Sequence, residues 1–330
     1  MELRHLRYFL AVADEHQFTR AAARLHIQQP PLSQQIQELE AELGFTVFRR
    51  LPRGVELTPA GAAFAQTARA IFVQLEEGRA RACRIARGDV GQVRVALTSS
   101  AAFHPLAPAA IRAFRSAHPD IVIDLNEINA AEIIEAMSGG RIDVALLRKP
   151  NATPAELRFD LLDEERMVLV LPVGHRLLAH ARGEPAADAS AHGARASAAS
   201  AFIAAPIALT ALADEDFIFV RRPGEPGMYA DFVRACEARG FTPAMRHEVP
   251  RMLTAINLVA TGAGVTVVPA SMQRYHQEDV VYRQVAGDRA FTAPLHLVTR
   301  HEAVNPAARR FAQSVTDFAA TWRVSNRPPP

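Results

Sequence analysis

The feature that most constrains the fold of this chain is an apolar stripe near the amino terminus, directly after a pair of prolines. Its apolar side chains recur at spacings of four, three and four residues, at Leu32, Ile36, Leu39 and Leu43. This spacing predicts a helix over 31–43 with one buried face. Pro30 and Pro31 suit its first turn, where backbone amides lack a helical partner.

The opposite face of this helix is polar and begins without acids. It carries Gln29, Ser33, Gln34 and Gln37, and the first carboxylate is Glu38. Glutamine combines a donor and an acceptor, which matches the major-groove edge of adenine, and serine can contact a base or a phosphate. The pattern indicates a DNA recognition helix, although a helix with a merely solvated polar face would show the same residues.

Two shorter helices are expected before it. Apolar residues at helical spacing predict a first helix over 3–14. Thr19 is a residue type that caps helices, so we expect it to begin a second helix over 20–25. The side chains of Ala21–Ala23 are small enough for another helix to cross closely.

A basic hairpin is expected after the candidate recognition helix. Gly44 favours a helix end, and two short strands are predicted at 46–48 and 55–57 around a turn that contains arginines. A hairpin beside a recognition helix would be a wing, in which Arg50 and Arg53 contact phosphates or the minor groove. Exposed arginines in a turn can also serve solubility alone.

A long helical segment over 59–87 follows the hairpin. Apolar or small residues recur along it at alternating intervals of four and three, at Phe64, Ala68, Ile71, Leu75, Gly78, Ala82 and Ile85. Such a seam predicts a helix that pairs with a second copy of the chain. The alternative is a helix packed on its own domain. The residues Gly88–Gly91 favour a hinge after it.

Beyond this hinge, strands at 93–97, 121–125 and 142–147 alternate with helices, which predicts a parallel sheet. Ligands of such sheets bind beyond the carboxyl ends of the strands. The residues at those ends are Thr98, Ser99, Ser100, Asn129, Ala130 and Arg148. Serines near a helix start can help hold an anion, and arginine can pair with a carboxylate. Alternatively, the serines only cap the following helix.

A second set of elements predicts another lobe. Its elements are strands at 167–171 and 217–220, helices at 229–238 and 252–261, and an apolar run at 264–268. We expect the strand 295–299 and the helix 306–322 to rejoin the first lobe. Crossovers near 162–166 and 268–271 would then form a cleft that closes on a ligand by hinge motion. The alanine-rich stretch 181–208 is interpreted as an insertion that forms a surface loop.

Composition and motifs limit the function classes. The formal net charge is only +2, so nucleic-acid binding requires a local arrangement of groups. The histidines show no metal spacing, and neither a phosphate-cradling glycine loop nor a nucleophile elbow is present. We therefore expect no enzyme activity, no catalytic residues, no metal and no cofactor. The two cysteines, Cys83 and Cys236, are expected to stay free.

The amino terminus has no charged-then-apolar signal pattern, and no apolar run approaches the ~20 residues of a membrane span. We expect a cytoplasmic protein that does not enter a membrane. A module that only binds a small molecule, such as a secreted solute-binding protein, would share the two-lobed domain. It would carry a secretion signal and would lack residues 1–87.

The segment FLAVADEHQFTRAAARLHIQQPPLSQQIQELEAELGFTVFRRLPRGVELTPAGAAF resembles the DNA-binding domain of LysR-type transcriptional regulators. The helices, the recognition helix and the wing occur in the order of that family. By this resemblance, the residues that fall where the family touches DNA are Thr19, Gln29, Pro30, Ser33, Gln34, Arg50 and Arg53. Gln34 is a departure, because relatives often carry arginine there.

The segments RIDVALLR, FIFVRRPGEPGMYADF and INLVATGAGVTVVPASM are similar to LysR-type effector domains. They are most similar to the subset that senses aromatic acids and their ring-cleavage products. The resemblance implies a cleft that includes Ser99, Ser100, Arg148, Arg221 and Arg222. Ala130 departs from the aromatic-acid sensors, which carry a hydroxyl at that position.

The resemblance implies an α/β fold with an all-α head: a winged helix-turn-helix over 1–58, a linker helix over 59–88 and an effector domain over 89–330. That domain would have two lobes, like a periplasmic binding protein. The expected lobe limits are about 89–163 and 270–330 for lobe I and about 164–269 for lobe II. The implied partners are promoter DNA, a small carboxylic or aromatic acid, further copies of the chain in a dimer or tetramer, and RNA polymerase.

Overall fold

The computed structural model describes residues 1–148, 153–180, 205–220, 229–286, 291–302 and 305–325. Its helices are α1 Leu3–Glu15, α2 Phe18–Leu25, α3 Gln29–Leu43, α4 Pro59–Ala86, α5 Ser99–Ala102, α6 Leu106–Ala117, α7 Ala130–Ser138, α8 Arg176–His180, α9 Ala230–Glu237, α10 Met252–Ala260 and α11 Pro306–Ser325. The predictions on Arg221, Arg222 and most of the stretch 181–208 lie outside the described residues.

The first two strands form a hairpin between α3 and α4, and the other strands lie among the helices of the second part of the chain. The strands are β1 Phe48–Leu51, β2 Gly54–Leu57, β3 Gly91–Leu97, β4 Ile121–Glu127, β5 Val144–Arg148, β6 Leu157–Pro172, β7 Ile207–Ala208, β8 Asp216–Val220, β9 Ala244–Val249, β10 Thr266–Pro269, β11 Val280–Arg283, β12 Val285–Ala286 and β13 Thr292–Arg300. The chain divides into two compact units, Met1–Arg84 and Ile85–Pro330. The sequence-based domain limits at 58/59 and 88/89 stay predictions.

The first unit packs three helices around the predicted apolar stripe. Leu32, Ile36 and Leu39 are buried and share a core with Phe9 of α1. The helix α3 begins at Gln29, two residues before the predicted start, and both prolines lie in its first turn, as the sequence predicts. The polar face of α3 is consequently turned away from the core.

Two local features of the first unit differ from the sequence-based expectation. Thr19 does not cap α2: the cap residue is Gln17, which has an extended backbone, and Thr19 lies within the first turn. The hairpin turn is shorter than expected, because β1 runs to Leu51 and β2 starts at Gly54. Gly54 has a φ of 108°, and a Cβ there would lie 2.5 Å from the His16 carbonyl oxygen, so this tight turn requires glycine.

The burial of apolar side chains on the linker helix α4 decreases along its length. Near its start, Gly61, Ala65 and Ala68 are buried. Farther along, Val73, Leu75 and Ile85 are exposed. The amino-terminal part of α4 therefore packs within its own unit, while the later part of the predicted seam is uncovered in a single chain.

The second unit contains a sheet with the strand order β10-β6-β13-β5-β3-β4. The strands β4, β3 and β5 are parallel, which confirms the predicted α/β alternation, while β13 runs antiparallel to both β5 and β6. The helix α11 packs on this part through Phe311, against Phe114 of α6. We call β3, β4, β5, β13 and the first part of β6 lobe I.

The later part of β6 belongs to a second group of strands, which we call lobe II. There β6 pairs with β10 and β11, and β8 pairs with β9. The helix α10 covers this sheet with a core that includes Val168, Ile256 and Tyr282. One continuous strand, β6, therefore takes part in both lobes.

The return to lobe I comes later than expected. The sequence analysis placed it near 268–271, but Met272 and Val280 pack in the same core as Val268. The strand β11 adds to β6 in the register Val280↔Pro172. The chain therefore continues in lobe II after Pro269 and regains lobe I only at β13.

Candidate DNA interface and effector cleft

The residues predicted to touch DNA lie on one part of the first unit, around the start of α3 and the wing. Ser33 is half-buried. The other predicted residues are exposed: Thr19, Gln29, Pro30, Gln34, Arg50 and Arg53. The Thr19 hydroxyl donates a hydrogen bond to Gln29 Oε1, at 3.3 Å, and so joins α2 to the first residue of α3. Thr19 therefore contacts a predicted DNA-binding residue although it caps no helix.

A carboxylate one turn farther along α3 contacts two glutamine amides. Gln34 Nε2 donates to Glu38 Oε1 at 3.0 Å, and Gln35 Nε2 donates to Glu38 Oε2 at 2.6 Å. In the sequence, Glu38 was noted only as the first carboxylate on the polar face of the helix. The i, i+4 spacing of Gln34 and Glu38 could have indicated their contact.

The wing presents two arginines. Arg49 forms an ion pair with Glu56 of the partner strand across the hairpin. Within the described part of the chain, Arg50 and Arg53 have no carboxylate partner. Their charges are therefore available to a polyanion, whereas that of Arg49 is internally paired.

The candidate cleft begins at the carboxyl end of β3. Thr98 caps α5, since its side-chain oxygen accepts a hydrogen bond from the Ala101 amide. The Thr98 and Ser100 hydroxyl oxygens lie 3.2 Å apart, and Ser99 opens the helix. The cap is thus Thr98, and neither serine has that role.

A second capping residue, Asn129, follows the adjacent strand β4. Asn129 Oδ1 accepts a hydrogen bond from the Glu132 amide at 2.9 Å, and Ala130 is the first residue of α7. Asn129 Nδ2 is buried and has no hydrogen-bond partner among the described residues. Buried amide donors are usually satisfied, so this group is suited to a ligand acceptor.

Arg148 ends β5 on the other side of β3. Its side chain is 5% exposed, and its guanidinium donates to Ala293 O at 2.6 Å and to Ser100 O at 3.2 Å. It also forms an ion pair with Glu165. Burial lowers the pKa of Arg148, and the charge of Glu165 opposes that shift. Arg148 Nε is buried and finds no partner within the described residues.

Glu165 joins the two lobes and was missed by the sequence analysis. It lies on β6 and accepts hydrogen bonds from the Ser271 amide at 2.6 Å and from the Ser271 hydroxyl at 3.0 Å. Its ion pair with Arg148 links it to lobe I. The signal that could have found it is a carboxylate two residues before the apolar run 167–171, because buried carboxylates are paired.

A second carboxylate lies two residues before it, on the same face of β6. Asp163 Oδ2 is 3.3 Å from His104 Nε2, and His104 Nδ1 accepts a hydrogen bond from the Leu106 amide. Because Nδ1 is an acceptor, Nε2 carries the proton and donates to Asp163. This hydrogen bond holds the pKa of Asp163 below its usual value, against the effect of burial.

The cleft rim and the base of lobe I carry two further ion pairs. At the rim, Arg251 before α10 contacts Glu127 at the end of β4, at 3.1 Å. At the base, Asp143 is 2% exposed and is held by Arg94 at 2.8 Å and by Arg300 at 3.4 Å. Burial acts to raise the pKa of Asp143, but hydrogen bonds from Arg94 outweigh it and leave the pKa below the usual value.

The described residues contain no group of three or more His, Cys, Asp or Glu side chains placed to hold a metal ion. No helix in the described ranges combines the length and the apolar character needed to cross a bilayer. Within the described residues, neither Cys83 nor Cys236 forms a disulfide.

Two family models match the chain. The model "Bacterial regulatory helix-turn-helix protein, lysR family" matches residues 3–62, and the model "LysR substrate binding domain" matches residues 86–320. The Hca operon transcriptional activator HcaR of Escherichia coli (strain K12) is 35% identical over 97% of this chain and 99% of its own length. The regulator AlsR of Bacillus subtilis (strain 168) is 36% identical over 86% of each protein.

Solved structures show the same architecture. CbnR, a LysR family transcriptional regulator, is similar at a TM-score of 0.69 with 28% identity, covering 96% of this chain and 100% of CbnR. Full-length CbnR in complex with its target DNA is similar at the same TM-score, over 97% of this chain. Full-length BenM has a TM-score of 0.57 and 29% identity, and the match covers all of both chains.

Proposed function

The chain belongs to the LysR family of bacterial transcriptional regulators, and from this premise we propose which surfaces bind its two ligands. A DNA-binding domain and an effector domain follow from the family, and its members are regulators rather than enzymes. We assign promoter DNA to α3 and the wing. We assign a small carboxylic acid, with aromatic acids favoured, to the cleft between the lobes.

The observation that carries the effector assignment is a pair of buried donors without partners. Asn129 Nδ2 and Arg148 Nε lie at the ends of β4 and β5, on either side of β3. The strands β4 and β5 are two strand spacings apart, which is about 10 Å. The hydroxyl groups of Thr98 and Ser100 follow the end of β3, the strand between them. Donors spread over this distance suit a small molecule with carboxylate oxygens.

The DNA assignment is supported by exposure and charge. Gln29, Gln34, Arg50 and Arg53 are exposed on the head, and the wing arginines have no carboxylate partner in the described part of the chain. The exposed later part of α4 supports pairing with a second copy of the chain. We further propose a dimer or tetramer, a cytoplasmic location and contact with RNA polymerase.

Effector binding would act on DNA through the geometry of the paired heads. A ligand that changes lobe closure biases the arrangement of the subunits and, through it, the distance between two recognition helices. A changed distance alters the bend of the DNA that both heads can engage.

Asn129→Asp tests the effector assignment. Aspartate keeps the oxygen that caps α7 but replaces the unpartnered donor with a second acceptor, so an anionic ligand would lose a hydrogen bond and meet a like charge. Carboxylic acids that raise the melting temperature of the wild-type protein should then lose that effect. The matched control is Asn126→Asp on exposed β4, which adds the same charge. An unchanged ligand-induced shift in Asn129→Asp would refute this cleft.

A further inference from the structure

Both glutamines predicted to touch DNA are held at one end by a neighbouring side chain. A free glutamine amide can present either its oxygen or its nitrogen to a partner, because the two ends differ little in shape. In this head, Gln34 is held by Glu38 at 3.0 Å and Gln29 by Thr19 at 3.3 Å. Only the contact with Glu38 determines which atom the amide leaves for DNA, because a carboxylate can accept but cannot donate.

The contact with Glu38 fixes the polarity of Gln34. A carboxylate only accepts hydrogen bonds, so the nitrogen of the Gln34 amide must face it. Gln34 Oε1 then has no partner in the described part of the head, and Gln34 is exposed. In this arrangement Gln34 presents its oxygen, an acceptor.

The contact with Thr19 does not fix the polarity of Gln29. The Thr19 hydroxyl donates to Gln29 Oε1 at 3.3 Å, but a hydroxyl can also accept, so a turned amide would keep the contact through its nitrogen. Gln29 is the first residue of α3, where the helix starts, and it is exposed. Gln29 can therefore present either end of its amide to DNA.

The polarity of Gln34 corresponds to one kind of base edge. In the major groove, hydrogen-bond donors are the amino groups of adenine and cytosine, whereas guanine and thymine present oxygen acceptors there. An acceptor at Gln34 thus suits adenine or cytosine.

We propose that Glu38 is a positioning residue that makes Gln34 select an amino-bearing base, adenine or cytosine, in each half-site. The inference rests on the proposed DNA-binding role of α3. Glu38 contacts no base in this arrangement and acts only through the Gln34 amide. It keeps the amide from turning its nitrogen toward the groove, where that nitrogen would favour guanine or thymine.

The test is selection of preferred sequences from a library of randomised duplexes by the full-length protein, followed by sequencing. The variant Glu38→Gln removes the charge but keeps the shape, and its own amide can either donate or accept, so the Gln34 amide becomes free to turn. The matched control is Glu42→Gln, which removes a carboxylate from the same helix that contacts the amino-terminal group of Met1 and no glutamine.

Gln34→Ala identifies the base position that depends on Gln34. At that position the wild type should favour adenine and cytosine over guanine and thymine by about tenfold, within the range of one good base contact. Glu38→Gln should reduce this preference to about twofold or less and leave other positions unchanged. Glu42→Gln should keep the wild-type preference.

Two results would overturn the proposal while leaving the proposed function in place. One is an undiminished adenine and cytosine preference in Glu38→Gln. The other is a wild-type preference for guanine or thymine at the position that Gln34→Ala relaxes. If the wild type selects no sequence and binds no duplex in a salt-sensitive way, the proposed function itself fails, and this inference falls with it.

Discussion

The side chains predicted to touch DNA lie between Thr19 and Arg53 and are mostly exposed, whereas the cleft residues are half-buried or buried and come from distant segments. In the head, the hydrogen bonds between candidate side chains join neighbouring helices or successive turns. In the cleft, Arg148 reaches Ala293 and Glu165, and Glu165 reaches Ser271. The contacts among the head residues are thus local in sequence, whereas those in the cleft join segments that only the complete fold brings together.

This difference has an energetic meaning. An exposed side chain can be replaced with little effect on folding, so changes in the head should alter binding alone. A buried charged group cannot be removed without leaving its partner uncompensated. Substitutions in the cleft should therefore alter stability and ligand response together, and the predictions below test that division.

The largest expected effect is on the stability of the second unit. Arg148→Ala leaves the largely buried Glu165 without its ion-pair partner, and the free energy of unfolding should fall by about 3–5 kcal/mol. Chemical denaturation of the full-length protein measures it. The control Arg158→Ala removes an exposed pair with Asp160 and should cost less than about 1 kcal/mol. An equal loss in the free energy of unfolding for both variants would contradict the expected difference between the buried cleft pair and the exposed surface pair.

The next largest effect is expected on DNA recognition. The double substitution of Ser33→Ala and Gln34→Ala should weaken binding to the natural promoter by about 1–3 kcal/mol for each base contact that is lost. The free energy of unfolding should barely change. Quantitative footprinting beside a denaturation curve measures both. Unchanged protection of the promoter would show that α3 does not read bases through these residues.

A smaller effect is expected from acid. The pKa of Asp143 is depressed in the folded protein, so the unfolded chain binds protons more readily and stability falls as the pH decreases. The contribution is complete above the unfolded value, near 3.8, and is lost as the pH falls through the lower folded value. Asp143→Asn should flatten the stability profile in this acidic range. An unaltered slope would contradict the role of this carboxylate.

The smallest effect is expected at the wing. Arg53→Ala removes one positive charge that has no carboxylate partner in the described residues. If Arg53 contacts a phosphate, the slope of the logarithm of the binding constant against the logarithm of salt concentration should shrink by about 1. Arg49→Ala is the control, since Arg49 is paired with Glu56. The same reduction in both variants would mean that the internal pairing is irrelevant to DNA binding.

The parts of the fold that depend on periodicity were predictable. The stripe on α3, the wing and the parallel strands of lobe I follow from residue spacing and from turn residues, and all are present. The polar face of α3 was predictable for the same reason, since a buried stripe leaves the opposite side exposed. Contact of these residues with DNA remains a prediction.

Features that depend on tertiary pairing were not predictable. Thr19 is a good capping residue, but the chain turns two residues earlier, at Gln17. Pro269 ends an apolar run and so suggests a crossover, yet β11 adds to the free edge of β6. Glu165 joins Arg148 and Ser271, which lie 17 and 106 residues away from it in sequence. No local pattern encodes such separations.

The unbroken strand β6 limits how the two lobes can move. A loop connection would let one lobe swing freely, but these 16 residues keep their hydrogen bonds to β13 on one stretch and to β10 and β11 on the next. Opening or closing the cleft must therefore act as torsion of a continuous ribbon. A small angular change at the ligand becomes a larger displacement at the outer edges of the domain. There it would alter the contacts with neighbouring subunits.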